Sequence, residues 1–350
     1  MQIKEITDKN AWEGFLASHP EASFLQSWYW GDFYLALENP SSRAELATGR
    51  SKIQRTGFYR NLELVGVMLS IVEEAKRARY LTVPGGPIID WKNKELVEAF
   101  VNEIKRIAEE KKCAFVRVRP QLESGNPAKK LFSSRGFRNA PIHLHAELTS
   151  QLDITKSEEE ISAGMRKTTR YEIKGAVSMG IKISATTDPQ SIKKFYDIQL
   201  LTAERQGFTP FTYKFIYEQF KIFSEADKAL LYSAELENKL LAQAVIIFYG
   251  REAVYHYGAS TDDGRKYPGA YLIQWEAIKE ARRRGMERYN FWGVSPTENK
   301  NHRFYGISIF KRGFGGKDFE YLHAQDLVID YPRYVLNLVI ENIRKRMRNV

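Results

Sequence analysis

The sequence predicts an α/β (α+β) protein of two domains, on three observations. Strand-like and helix-like stretches alternate along the chain instead of separating into blocks. The 350 residues exceed what one domain usually holds. Near Ser150 the pattern restarts and runs through a similar strand–helix order, as in a duplicated architecture, without a low-complexity linker between the halves.

The elements follow from spacing and punctuation. A polar helix-like segment precedes FLQSWYWGDFYLAL, where Phe24, Trp28, Trp30 and Phe33 form a dense aromatic group. Residues 57–72 read as a hairpin turning at Arg60 and Asn61, and residues 78–83 as a strand ending in PGGPIID. A helix over 92–111 puts Leu96, Phe100, Ile104 and Ile107 on one face. CAFVRVRP reads as a strand, alternating Phe115 and the valines with Arg117 and Arg119. A short helix in KKLFSSRGFR leads into IHLHAELTS, read as a strand with His143 and His145 on one face.

In the second half, 155–180 reads as a helix pair with a cap at Ser157, followed by the strand IKISAT. Helices follow over 190–204 and from Tyr213, then a hairpin turning at Glu237 and Asn238. The stretch 255–317 is the most ordered in pattern: strand, helix, strand, and a short element carrying Lys311. Its helix starts at Pro268, stops at Gly285, and has Arg282, Arg283 and Arg284 in its last turn, where the helix dipole favours cations. The tail from Asp330 reads as a packing helix with a basic end at Arg344, Lys345, Arg346 and Arg348.

Composition narrows the classes. Hydrophobic residues at 43% and charged residues at 27% fit a soluble globular protein. A formal charge of +10 points to an anionic partner, whether nucleic acid, a nucleotide-linked substrate or an acidic membrane surface. Cys113 is the one cysteine, so no intrachain disulfide forms and a reducing compartment is expected. With no signal-like N-terminus or membrane-spanning run, the expectation is a cytoplasmic monomer.

The chemistry is defined first by what is missing. No metal site is expected, because no cysteine or carboxylate completes a ligand set with His143 and His145. G-x-S-x-G is absent, and GFGGK lacks phosphate-loop spacing, with Asp318 where the hydroxyl would stand. What remains is cationic and aromatic. Arg166, Arg170 and Lys174 form a basic stripe, readable as a solvated face or a polyanion contact. Arg205 ends a helix, where it compensates the dipole or binds phosphate or carboxylate. Lys311, within ISIFKRGFGG, is either a snorkelling stem or a charge held near a reacting centre.

Six motifs in order then carry a resemblance over nearly the whole chain: FLQSWYWGDFY, GGPIID, MRKTTRYEIKGAVSMGIKI, TAERQGF, YHYGAS with the helix and G-x-x-x-Y-N-F-W-G after it, and GISIFKRGFGG. The sequence resembles the Fem family of non-ribosomal peptidyltransferases, which build peptidoglycan cross-bridges from aminoacyl-tRNA, in the short form without a coiled-coil arm. The resemblance implies two tandem acetyltransferase-like (GNAT-related) domains. Residues 1–152 with 318–350 would form the precursor-side domain and 153–317 the aminoacyl-donor side. It implies transfer of an aminoacyl group from tRNA to the side-chain amine of a muramyl-peptide precursor, soluble or lipid-linked. No cofactor is implied beyond aminoacyl-tRNA as co-substrate, and the work would be done in the cytoplasm or peripherally at the inner membrane face. By the same resemblance Lys311, in the pair Phe310–Lys311, stabilises developing negative charge near the tRNA acceptor end. Arg205 matches the arginine on the precursor's diphosphate, and Tyr257 lines the peptide cleft. Arg166, Arg170 and Lys174 suit tRNA contact. Tyr34 departs from the pattern, standing where family members often carry a lysine that serves the diphosphate, which leaves room for a different acceptor. Two other readings stand beside this one: an acyl-CoA-dependent N-acyltransferase acting on a polysaccharide precursor, and a non-catalytic tRNA- or precursor-binding protein.

Overall fold

Capping and turn chemistry set the ends of the first elements in the computed structural model. It describes residues 1–38, 52–75, 78–207 and 209–348, with side chains for all but 75, 206 and 344–348. The basic end of the tail thus lies outside the described side chains. The chain opens with β1 (Gln2–Glu5), α1 (Lys9–Ala17) and α2 (Trp28–Leu37). Asp8 and Ser27 cap the two helices by accepting from the backbone N–H groups of Asn10 and Trp30. β2 (Ile53–Arg60) and β3 (Glu63–Ala75) form a hairpin through Asn61 and Leu62, both at positive φ as a tight hairpin turn demands. β4 (Ala78–Pro84), β5 (Ile88–Ile89), α3 (Lys94–Glu110), β6 (Phe115–Arg119), α4 (Lys129–Ser133) and β7 (Phe137–Asn139) follow.

The next stretch contains β8 (Leu148–Asp153), α5 (Glu158–Gly164), α6 (Lys167–Ser178), β9 (Lys182–Thr186) and α7 (Ile192–Gln206). Ser157 and Glu160 make a reciprocal capping box on α5. After α8 (Tyr213–Glu225), β10 (Ala229–Leu236) and β11 (Lys239–Tyr249) turn at Glu237 and Asn238, again both at positive φ. β12 (Glu252–Ser260), α9 (Gly269–Arg283), β13 (Arg288–Gly293), α10 (Tyr305–Arg312) and β14 (Lys317–Glu320) complete it. The chain ends with β15 (Gln325–Val328) and α11 (Tyr331–Arg348).

These elements form two compact units, Met1–Glu147 with Glu320–Val350, and Leu148–Phe319. The divisions fall at 147/148 and 319/320 instead of the expected 152/153 and 317/318. The reason is that β8 and β14 are hydrogen-bonded members of the second sheet, ordered β14-β8-β13-β12-β11-β10-β9. The first sheet runs β1-β2-β3-β4-β6-β15-β7, with β5 on β3. The returning segment supplies β15 between β6 and β7, so the first unit is incomplete without it.

Each unit repeats one path: a hairpin, a third antiparallel strand, a helix, then a parallel strand. In the first this is β2–β3–β4–α3–β6, in the second β10–β11–β12–α9–β13. The helix covers the sheet in both. Leu96, Phe100, Ile104 and Ile107 are buried with Leu81, Val83, Val116 and Val118, as Leu272, Ala277, Ile278 and Ala281 are with Ala244 and Ile246.

β6 forms where the sequence places a strand, and it is buried on both faces, Arg117 and Arg119 along with the valines. The reason is that acids and an aromatic of the returning segment meet Arg117: it donates to Asp326 at 2.7 and 2.8 Å and to Glu341 at 2.9 Å, while Tyr334 donates to Asp326 at 3.2 Å. One sequence expectation fails here: residues 141–147 are irregular, the strand beginning only at Leu148, so His143 and His145 do not share a strand face. His145 lies edge-on to Trp30, while His143 turns to Glu147.

Candidate active site

The second unit's parallel strand pair is short. β12 and β13 pair only over 252–254 and 288–290, although both continue beyond. On β12 a bulge follows, His256 being the extra residue between the Ile246–Tyr255 and Val245–Tyr257 pairs. On β13, Trp292 takes φ +62° and its N–H donates to the Asn290 side chain at 2.8 Å. Asn290 in turn donates to buried Glu252, which also accepts from Arg288. Released from pairing, the two strands part in a notch with Tyr255 and His256 on the β12 side and Trp292 and Gly293 on the β13 side; the His256 ring meets Trp292 edge-on at 5.8 Å and bonds to Gln219 of α8 at 3.2 Å.

Lys311 enters this notch from α10. It is 8% exposed, its Nζ donates to the Gly293 carbonyl at 2.7 Å, and it lies 5.6 Å from the Tyr255 ring centre. Among the described residues no carboxylate pairs with it. Burial alone lowers its pKa to about 7, so near neutrality it exchanges between ammonium and free amine. The helix is anchored on both sides of this residue. Ser308 accepts from Ser295 N–H at 2.8 Å, and Arg312 holds the Ser295 carbonyl and Asp318. Burial likewise pushes Tyr255 up to about 12 and lowers His256 to about 3, so both ring systems line the notch uncharged. Gly258 is required beside them, because a Cβ there would fall 1.8 Å from the Tyr255 hydroxyl. The chemistry available is a desolvated cationic donor, or proton acceptor, in an aromatic cleft.

The other expected residues are dispersed. Tyr257 shares β12 with the notch and packs among His256, Phe195 and Phe211. Arg205 lies by the far end of the same strand, donating to Ser260 O at 3.4 Å and bonded to Asp262. Gly207 closes that helix at φ +65°, while Phe208 lies outside the described residues. Phe310 packs against Tyr271 and Phe314 at the edge of the core. The basic stripe is interrupted. Arg166 precedes α6 and donates to the Ile309 carbonyl at 2.8 Å, Arg170 is bonded to the carbonyls of Ala163 and Met165, and Lys174 is exposed. Tyr34, in the first unit, donates to Glu73 at 3.0 Å. An open groove of about 860 Å³ on the second unit shares none of the notch residues, and its rim charges pair with one another, Glu280 with Arg283 and Arg284 and Lys279 with Glu276.

Sequence reading missed Tyr255, His256, Trp292 and the Gly293 carbonyl. The available signal was three consecutive rings before a glycine in YHYG, which breaks strand alternation, together with the W-G pair ending β13.

Similarity to known proteins identifies the family of this chain. The FemAB family model matches residues 7–130, 135–240 and 233–341. The chain belongs to the FemAB family. A lipid II:glycine glycyltransferase of Staphylococcus epidermidis is 22% identical over 419 aligned positions, covering 99% of this chain and 97% of the relative. The Staphylococcus aureus protein of the same name is 21% identical with the same coverage. Both alignments are longer than this chain, so the relatives carry residues that it lacks. Among solved structures, FemX superposes with TM-score 0.81 at 20% identity, over 96% of this chain and 99% of that one. A tandem GNAT protein from the clavulanic acid biosynthesis pathway superposes at 0.54, with 10% identity, over 93% and 98%. The fold is therefore the tandem acetyltransferase-like one, similar to that of FemX and of the tandem GNAT protein.

Proposed function

We propose that this FemAB protein is an aminoacyltransferase that adds an amino acid to the peptide-stem amine of a peptidoglycan precursor, drawing it from aminoacyl-tRNA. The observation that carries the reading is the desolvated Lys311 in its aromatic notch. The reaction is aminolysis of an ester. The acceptor amine attacks the aminoacyl carbonyl, the ester C–O bond breaks, and the tRNA 3′-hydroxyl leaves with the proton the amine gives up. Negative charge gathers on the carbonyl oxygen on the way. A buried ammonium with only a backbone carbonyl for a partner can turn to that oxyanion without first breaking an ion pair. No covalent nucleophile is required, in keeping with a notch built of aromatic rings, a lysine and backbone.

The precursor assignment is supported by two full-length relatives named for transfer of glycine to lipid II. The tRNA donor rests on the family reading and on the +10 charge. Of the stripe residues, Lys174 is the exposed cation best suited to a phosphate, and exposed Arg166, at the start of the same helix, keeps donors beyond its Ile309 bond. Arg205 would meet the precursor's diphosphate by exchanging Asp262, itself highly exposed, for the phosphate. No helix of the described residues is long and apolar enough to cross a membrane, so a lipid-linked acceptor would be met from the membrane surface.

The test offers labelled aminoacyl-tRNA or acyl-CoA with muramyl-pentapeptide acceptors, soluble and lipid-linked. Transfer from tRNA is expected, and transfer only from acyl-CoA would replace this reading with the N-acyltransferase one. Lys311→Met should slow single-turnover transfer by roughly 10²–10³-fold while leaving tRNA binding intact. Undiminished transfer would remove Lys311 from the chemistry.

A further inference from the structure

His143, Glu147 and His323 meet in the first unit, on the side chains where the chain leaves that unit and where it returns. Nδ1 of His143 and Nδ1 of His323 each stand 2.6 Å from the same Glu147 Oε2. The other carboxylate oxygen, Oε1, is taken by the Ala324 N–H at 2.9 Å. The three ligand atoms all lie within 4.8 Å of one another. Glu147 is buried, His323 partly so, and the His143 side chain is 53% exposed.

The tautomer of His323 decides what this cluster can hold. Its Nε2 lies 2.8 Å from the carbonyl oxygen of Ala140, which can only accept, so Nε2 carries the proton. In the neutral ring Nδ1 is then a lone pair aimed at a carboxylate oxygen. Two acceptors face each other unless something positive lies between them. A second proton would serve, making an imidazolium, and so would a metal ion. A histidine held through N–H to a backbone carbonyl, with its other nitrogen pointed at a carboxylate and a second imidazole, is the arrangement that orients metal ligands.

We propose that His143 Nδ1, His323 Nδ1 and Glu147 Oε2 bind one divalent ion of the zinc class, with a fourth position open to water on the exposed His143 side. Two imidazoles and one carboxylate suit zinc in chemistry and number. A tetrahedral site separates its ligand atoms by about 3.3–3.5 Å, wider than the present contacts. His143, exposed and on an irregular segment, opens its own distance by swinging outward, and the partly exposed His323 ring must draw back from Glu147 as well. The ion would clamp residues 140–147 onto 321–324, where Tyr321 N–H already donates to the Glu147 carbonyl at 2.8 Å and Ala140 N–H to the Ala324 carbonyl at 2.8 Å. This site is separate from the Lys311 notch and does not depend on the proposed reaction.

The test uses the full-length protein stripped with a chelator, titrated with zinc chloride by calorimetry and with cobalt chloride by visible absorption. One ion per chain is expected, with a rise in Tm on zinc addition and cobalt bands of a four-coordinate site. His143→Ala, which removes a side chain 53% exposed, should weaken zinc binding by roughly 10–100-fold with the far-ultraviolet circular dichroism unchanged, and His323→Gln should do the same. Folded protein that binds no zinc at about 100 μM, well above the range of a dedicated protein site, would leave a protonated His–Glu–His cluster and overturn the proposal. Stoichiometric binding unchanged by His143→Ala would overturn it equally, by putting the ion elsewhere.

Discussion

Arg117 and Lys311 are both buried cations beside the parallel strand pair of their unit, and they are treated in opposite ways. Arg117, on β6, is 2% exposed and saturated by Asp326 and Glu341. Burial opposes its charge, but the hydrogen bonds and negative charge of those two acids outweigh it and hold its pKa above the ordinary value. Lys311 has a carbonyl and an aromatic ring, and burial, with no acid to offset it, lowers its pKa. The first arrangement closes a sheet, since both acids come from the returning segment and draw it onto β6. The second stores an unneutralised donor where the strands part. A fully paired cation fixes its partners in place, is costly to break and has little left to offer a substrate; a desolvated cation with no acid beside it keeps its charge available.

The comparison is broken most severely at Arg117. Arg117→Leu leaves Asp326 and Glu341 facing each other in a buried site, and should cost about 3–5 kcal/mol of unfolding free energy by urea denaturation. A loss under about 1 kcal/mol would mean that the acids are solvated and the cluster is not a closing device.

Next is the pH dependence of Lys311. Its folded pKa of about 7 lies below the ordinary 10.5. Between those values the unfolded chain holds the proton and the folded chain does not, so stability gains as pH rises through the window, while below it the folded state bears the cost of a buried charge. Relative to Lys311→Met, the wild type should gain about 3 kcal/mol between about pH 7 and 9.5. A difference that does not move with pH would show Lys311 to be hydrated in the folded protein.

Gly258→Ala sharpens the comparison inside the notch. Its Cβ would drive the Tyr255 hydroxyl away, at about 1–3 kcal/mol in stability. Transfer should fall by roughly 10–100-fold as the wall beside Lys311 shifts. Loss of stability with the turnover of folded protein unchanged would separate Tyr255 from the site. The mildest change is Ser157→Ala, which removes half of the capping box on α5 and should lower stability by about 1 kcal/mol with turnover unaffected. An effect on turnover would tie that helix to the notch.

Local rules carried much of this molecule. The Ser157 cap, the Asn238 turn, the helix between Pro268 and Gly285, and the apolar face of residues 96–107 are all dictated by neighbours within a few positions, so they stand in the sequence. The duplicated strand–helix order and the family resemblance stand there as well, and so does Lys311 as the residue to watch. What the sequence could not carry is partnership across long separations. Asp326 and Glu341 reach Arg117 from more than two hundred residues away and let a strand carrying two arginines be buried on both faces. His323 completes a cluster with His143 and Glu147 that local spacing had dismissed. The notch itself exists only because two parallel strands stop pairing after three residues and let a helix side chain in. Burial, which lowers the pKa of Lys311, and the acids that outweigh it at Arg117 are both properties of what the chain folds against. The order of residues specifies that packing only through the tertiary structure.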